Sequence, residues 1–292
     1  MFKDINDLNG SQEKSFDIRN DNLYITTLMP RKYFDYDSLD DLRRDIDRLG
    51  LVDIPLDDDL TPIFRPVQIG PLTVGNSLAI HPMEGCDGTL DGKPDTLTYR
   101  RWERFGAGGA KLIWGEATAI REEGRANTRQ LWICEENARA LEDLLNRTRK
   151  VHREMFGPNE EVTVGLQLTH SGRYSYRRPI IAVHDPVLDS ITYVDKTRRI
   201  PVTPDYPLIS DDGLERIEDD FVRAARLVRR IGFDVVDLKQ CHCYLLSELL
   251  SAKTREGRYG GSFENRTRFI QNVVRKVRSA VPDLVIASRF NA

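Results

Sequence analysis

The chain has 292 residues, 40% of them hydrophobic and 30% charged, with a net charge of -3. That is a globular composition large enough for one big α/β domain or two small ones, and the near balance of charge leaves no basic footprint for nucleic acid. No stretch approaches the ~20 continuous apolar residues that cross a bilayer, and the N-terminal M-F-K-D-I-N-D-L-N-G lacks the apolar core of a signal peptide, so a cytoplasmic location is expected.

Residues 1–60 read as an N-terminal accessory segment. Asp35 to Asp59 are strongly acidic, and Leu39, Leu42, Ile46 and Leu49 sit at helical spacing up to a Gly50 stop. The spacing predicts a surface helix with a solvated acidic face. From Thr61 the texture changes. Phe64 to Gly70 and Leu72 to Asn76 read as a hairpin around Gly70-Pro71. Ser77 to His81 is a first core strand, broken by Pro82. Thr96 to Phe105 is a helix that Gly106, Gly108 and Gly109 end. Ala110 to Glu116 is a second strand. Glu135 to Met155 is a long helix with Ala138, Leu141, Leu145 and Val151 near one face, stopped by Gly157-Pro158. Val162 to Leu168 is a third strand.

A long Pro- and Tyr-rich connection runs from Ser171 to about Ser210, either a lid over a site or a mobile surface excursion. Ser210 or Asp211 then caps a helix whose Leu214, Ile217, Phe221, Ala225 and Val228 form one stripe. Gly232 ends it, and Phe233 to Leu238 is a fourth strand with Lys239, His242 and Tyr244 crowded at its C-terminal end. Glu264 to Ala280 is the next helix, and Leu284 to Phe290 a fifth strand. Buried strands alternating with amphipathic helices predict parallel pairing through right-handed crossovers. No G-x-G-x-x-G follows any strand, which argues against a dinucleotide-binding Rossmann domain. A (β/α)8 TIM barrel fits better, with about the first five of its β/α units present; the unit looks cut off.

Four cysteines, Cys86, Cys134, Cys241 and Cys243, make no disulfide framework in so long a chain. Were Cys241-His242-Cys243 extended, the sulfurs would point one way and the imidazole the other. With no CxxC partner elsewhere, no metal is expected.

Five stretches carry a resemblance. They are Phe64-Arg65-Pro66 through His81-Pro82-Met83; Gly108-Gly109-Ala110 through Glu116-Ala117 with Glu123-Gly124-Arg125; Gln167 through Arg173; His242 through Leu246; and Tyr259 through Arg266. In that order, each at a strand end or following turn, they resemble the old yellow enzyme family of FMN-dependent oxidoreductases (NADH:flavin oxidoreductases), whose fold is this barrel. The similarity covers Thr61 to Ala292, so 61–292 reads as the N-terminal part of an FMN-binding TIM barrel.

The resemblance implies FMN as cofactor, NADH or NADPH as reductant, and an activated alkene or related electrophile as the small-molecule substrate. It implies that the backbone at Pro82, Met83 and Ala117 lines the isoalloxazine, with Glu84 beside it. Gln167 would hydrogen-bond the pyrimidine ring, and Arg289 would place a cation beside N1 and the C2 carbonyl. Tyr244 matches the proton donor; a phenol with an ordinary pKa of ~10 stays protonated at neutral pH. His242 matches one of the pair that grips a carbonyl oxygen. The other member is usually a histidine and is here Lys239, a hydrated point charge that could hold an anionic oxygen or be anchored by Asp237. Glu84 stands where a small residue is usual, and Glu84 and Lys239 are expected to compensate one another. Two other readings stay open: an inactive truncated barrel acting as an assembly fragment, and a Schiff-base lyase built on Lys239. Neither nucleic acid nor membrane is an expected partner, and homo-oligomer formation is left open.

Overall fold

The computed structural model describes residues 36–51 and 54–291. Contacts divide the chain into Met1–Asp58 and Asp59–Ala292. The first unit contributes α1 (Leu39–Arg48), where the leucine spacing placed a helix. Ser38 caps it by accepting from Asp41 N at 3.2 Å, and Gly50, at φ +67°, ends it.

The second unit opens with a short helix, α2 (Thr61–Phe64), which takes Phe64 out of the expected strand run because Pro62 starts a helical turn. The hairpin then forms as read: β1 (Val67–Ile69) pairs antiparallel with β2 (Leu72–Val74). Next come β3 (Ala79–Ile80), α3 (Thr96–Ala107), β4 (Leu112–Ala119), α4 (Glu135–Phe156) and β5 (Thr163–Thr169). The long connection has structure of its own: a 3-10 turn at Gly172–Tyr174, α5 (Pro186–Ile191), and a two-stranded ribbon of β6 (Tyr193–Asp195) and β7 (Ile200–Pro201). The chain continues through α6 (Asp211–Ile231), β8 (Val235–Gln240), α7 (Leu245–Ser251), α8 (Phe263–Ala280) and β9 (Val285–Phe290). The short helix α7 was not legible in the spacing.

The main sheet is all parallel, in the order β3-β4-β5-β8-β9. Each strand lies beside the next in sequence with no reversal of order, the winding of a barrel wall and not of a doubly wound sheet. Alternation along the strands then divides the faces. Leu166, Leu168, Val236 and Leu238 point into the core shared with the helices, where Leu141, Leu145, Phe221 and Val273 are buried. The paired residues Gln167 and Asp237, with Lys239 and Arg289 further along, take the other face. The full α6 stripe, Leu214, Ile217, Phe221, Ala225 and Val228, is buried; each large side chain contributes roughly 1.5–3 kcal/mol. Among the described residues, no helix is long and apolar enough to cross a membrane.

Helix α4 departs from the expected stripe at its end. Val151 is half-buried, while Thr148 and His152 are buried. The cause is the close crossing of α3. His152 Nδ1 lies 2.9 Å from the Gly106 carbonyl and Nε2 2.9 Å from Lys111 Nζ. An ammonium only donates, so Nε2 accepts and Nδ1 carries the proton. A Cβ on Gly106 would sit 2.4 Å from the Thr148 carbonyl. Gly106→Ala should therefore cost roughly 1–3 kcal/mol by overpacking, read as a lowered midpoint in urea unfolding; an unchanged midpoint would refute the close crossing.

Candidate active site

The candidate residues gather at the C-terminal ends of β4, β5, β8 and β9, the end where a barrel keeps its chemistry. Ala117 on β4 pairs with Gln167 on β5, Gln167 with Asp237 on β8, and Lys239 on β8 with Arg289 on β9. Gln167 Nε2 donates to Asp237 Oδ2 at 2.6 Å, which leaves Gln167 Oε1 and Asp237 Oδ1 buried with no partner. Thr169 Oγ1, on the same face at the end of β5, is buried and unpartnered as well. Buried polar atoms are normally satisfied, so such a concentration at one mouth marks a place for a polar ligand.

Pro82 is buried and Met83 exposed in the loop after β3. That loop is fastened from below by Glu116, a residue that sequence reasoning quoted but gave no role. A bulge between Gly115 and Ala117 turns Glu116 out of register. Its Oε2 accepts from Gly85 N at 3.0 Å, and its Oε1 from Arg101 Nη2 at 2.6 Å and Trp102 Nε1 at 3.0 Å. Arg101 also binds both oxygens of Asp87. Glu84 is held by two amides, Asn127 Nδ2 on Oε1 and Gln130 Nε2 on Oε2 at 3.1 Å, while Gln130 also donates to the Ala117 carbonyl at 2.9 Å. Burial pushes the Glu84 carboxyl above its ordinary range, against the pull of Lys239.

Glu84 and Lys239 thus lie within electrostatic reach, without an ion pair between them. Nor does Asp237 form an ion pair with Lys239, although it lies within electrostatic reach and only its Oδ2 is taken by Gln167. The Lys239 ammonium instead sits 4.0 Å from the centre of the Tyr244 ring. Burial lowers its pKa, and Glu84 is the largest opposing influence.

Beyond Gln240 the chain is not extended. His242 and Cys243 both adopt left-handed backbone, at φ +60° and +54°. Two such residues in a row cost roughly 1–2 kcal/mol each, a strain that clusters at functional turns. The turn swings His242, an exposed side chain, edge-on to Tyr244 with ring centres 6.4 Å apart. Tyr244 then caps α7 and leans on Tyr174 at 5.9 Å. Burial, reinforced by Glu84, pushes its phenol up to about 12.

The stretch His170-Ser171-Gly172-Arg173 holds this turn in place. Leu245 N donates to the His170 carbonyl at 3.2 Å. Gly172, at φ +57°, has room only for hydrogen, since a Cβ would meet Leu245 N at 2.9 Å. Arg173 is fully buried and donates to Glu248 on α7 at 2.9 Å, to Asp189 on α5 at 2.9 Å, and to the Val183 carbonyl at 2.8 Å. Tyr174, Tyr193, Lys196, His242 and Tyr244 line a cavity of about 390 Å³. Tyr193 and Lys196 come from the long connection, which thereby forms part of the cavity wall.

A sequence profile described as the NADH:flavin oxidoreductase / NADH oxidase family matches residues 62–292. An NADPH dehydrogenase of Geobacillus sp. (strain WCH70) is 32% identical over 229 residues, 75% of this chain and 60% of the relative. An NADH:flavin oxidoreductase of Gibberella zeae is 27% identical over 235 residues, 76% of this chain and 54% of the relative. The chain thus spans 54–60% of the length of these two curated relatives. Among solved structures, morphinone reductase superposes with a TM-score of 0.64 at 24% identity, covering 78% of this chain and 61% of that one. The Old Yellow Enzyme from Pichia sp. gives 0.65 at 21% identity, covering 81% and 60%. The sheet is accordingly part of a TIM barrel.

His170 carries a consequence for stability. Its Nδ1 accepts from Gly172 N at 3.1 Å, and burial pushes its pKa down to about 3. Its unfolded value is ~6.5, so between the two pH values only the unfolded chain binds the proton. Stability from this group is present above pH ~6.5 and drains as pH falls toward 3, at ~1.4 kcal/mol per unit. Urea unfolding at pH 7 and 5 should show the chain losing about 2 kcal/mol more than His170→Gln; identical losses would sink the assignment.

Proposed function

The chain belongs to the NADH:flavin oxidoreductase / NADH oxidase family, and from that premise we propose that its sheet mouth holds FMN and, with NADH or NADPH as reductant, reduces an activated alkene or a related electrophile. The observation that carries this reading is the row of unpartnered buried atoms at the ends of β5 and β8, Gln167 Oε1 and Asp237 Oδ1 foremost, beside a cationic side chain, Arg289, on the adjoining strand. A flat heterocycle with imide-like donors and acceptors on one edge fits that donor and acceptor set.

In this reading Gln167, its amide fixed by Asp237, presents Oε1 to the pyrimidine edge, and Arg289 faces the edge where negative charge collects on reduction. The loop at Pro82, Met83 and Glu84, fastened by Glu116, and the backbone at Ala117 line the ring. FMN, when bound, supplies a hydride to the alkene carbon β to the carbonyl. His242 donates to the carbonyl oxygen and polarises the double bond. Tyr244 gives its proton to the α-carbon, and a phenol kept protonated by burial suits that task. Lys239 holds charge at the same oxygen.

Two measurements test the roles. Tyr244→Phe should lower alkene turnover by roughly 10²–10⁴-fold while leaving the visible flavin band of FMN-supplied protein unchanged. Because burial pushes the phenol up to about 12, the rate should show no falling limb from its deprotonation between pH ~7 and ~10. A fall in that range that vanishes in Tyr244→Phe would sink the buried-phenol account.

A further inference from the structure

We propose that Asp237 is a positioning residue for the cofactor: it turns the oxygen of the Gln167 amide toward the ring and, as the counter-charge to Arg289, sets how readily that ring is reduced. The inference rests on the FMN reading above and deepens it.

Asp237 is only 3% exposed and lies on β8 between Gln167 of β5 and Ala287 of β9. A carboxylate only accepts, so the 2.6 Å hydrogen bond from Gln167 Nε2 to Asp237 Oδ2 decides which end of the amide faces the acid. Gln167 Oε1 is thereby turned away from it. Oε1 and Asp237 Oδ1 are both buried without a partner. A pair of free acceptors set by one hydrogen bond suits a ligand that offers a donor, and the imide N–H of a flavin is such a donor.

The charges point to the same residue. Burial pushes the Asp237 carboxyl up, while the Gln167 hydrogen bond and then Arg289 draw it down. Glu84, the other buried acid of the mouth, answers to Lys239 among the cations and is held by Asn127 and Gln130. Glu116 is spent on Arg101 and Trp102 behind the loop. Asp237 is thus the acid that stands against Arg289. A ring that gains negative charge on reduction is favoured by the guanidinium and opposed by the carboxylate. Their sum sets the poise, and a buried pair is screened too little by water to be ignored.

The midpoint potential of the FMN-supplied full chain, from a dye-coupled reductive titration, tests this. Asp237→Asn keeps the shape, removes the charge and lets the Gln167 amide turn over. It should raise the potential by about 30 mV or more, which for a two-electron couple is a roughly tenfold gain in binding of reduced over oxidised FMN. Asp237→Glu should stay near the parent value. A potential that holds or falls in Asp237→Asn would overturn the proposal, and so would an equal rise in Asp237→Glu. Urea unfolding of the flavin-free chain gives an arm that needs no cofactor. Asp237→Asn should lower the midpoint there, and adding Arg289→Met should recover part of the loss, because the cation that lost its counter-charge is then gone. A midpoint lowered further by Arg289→Met would refute the counter-charge. A parent chain with no visible flavin band refutes the FMN reading and this one with it, whereas a bound flavin with an unmoved potential refutes this one alone.

Discussion

The hydrogen bond from Leu245 N to the His170 carbonyl is the constraint on which the site turns. It ties the start of α7 to the end of β5, and Tyr244 is the cap residue between them. One turn further, Glu248 accepts from Arg173 and from the Ala182 and Val183 amides. All three donors fall on Oε1, which offsets the burial of the charge, while Oε2 is buried with no partner. The same guanidinium holds Asp189, which accepts from His184 as well. One buried ionic network therefore positions the phenol and docks α5 of the long connection together.

A second fastening acts on the opposite wall. Glu116 leaves the ladder at a bulge and gathers Gly85, Arg101 and Trp102. The loop after β3 is thereby held by the neighbouring strand and by α3. A Cβ on Gly85 would lie 2.2 Å from the Arg101 guanidinium, so a side chain there would displace that arginine from its present place. Both walls of the mouth are thus set by charged groups that stand behind it, which narrows the positions open to the side chains in front.

The sheet and its four long helices, α3, α4, α6 and α8, were legible in the sequence because strand and helix periods differ and glycines or prolines punctuate them. The α6 stripe was read residue for residue. The site was legible at coarser grain: Gln167, Lys239, Tyr244 and Arg289 do stand at neighbouring strand ends. Partner choice was not legible. Asp237 looked like the natural anchor for Lys239, being two residues back on one face, yet the cross-strand neighbour Gln167 claims it. Register across strands decides such contests, and spacing along one strand cannot report it. The left-handed pair His242-Cys243 was equally hidden, since positive φ is uncommon outside glycine even for histidine, the more enriched of the two. Helix α7 is too short for its period to stand out.

The electrostatics of the mouth follow one pattern. Glu84 and Asp237 are both pushed toward their neutral forms by burial, and Lys239 is pushed the same way. Each carboxyl takes an amide donor and forms no ion pair, and Asp237 Oδ1 has no partner. Had the acids and Lys239 paired off, their mutual attraction, ~4 kcal/mol per contact at an effective dielectric near 20, would have closed the site against charged ligands. Amide partners fix the carboxyls in space without cancelling the field of the lysine. The ammonium of Lys239 and the guanidinium of Arg289, paired across β8 and β9, then present two positive groups side by side. Like charges so placed repel unless something negative lies near them, and Asp237 lies within electrostatic reach of both.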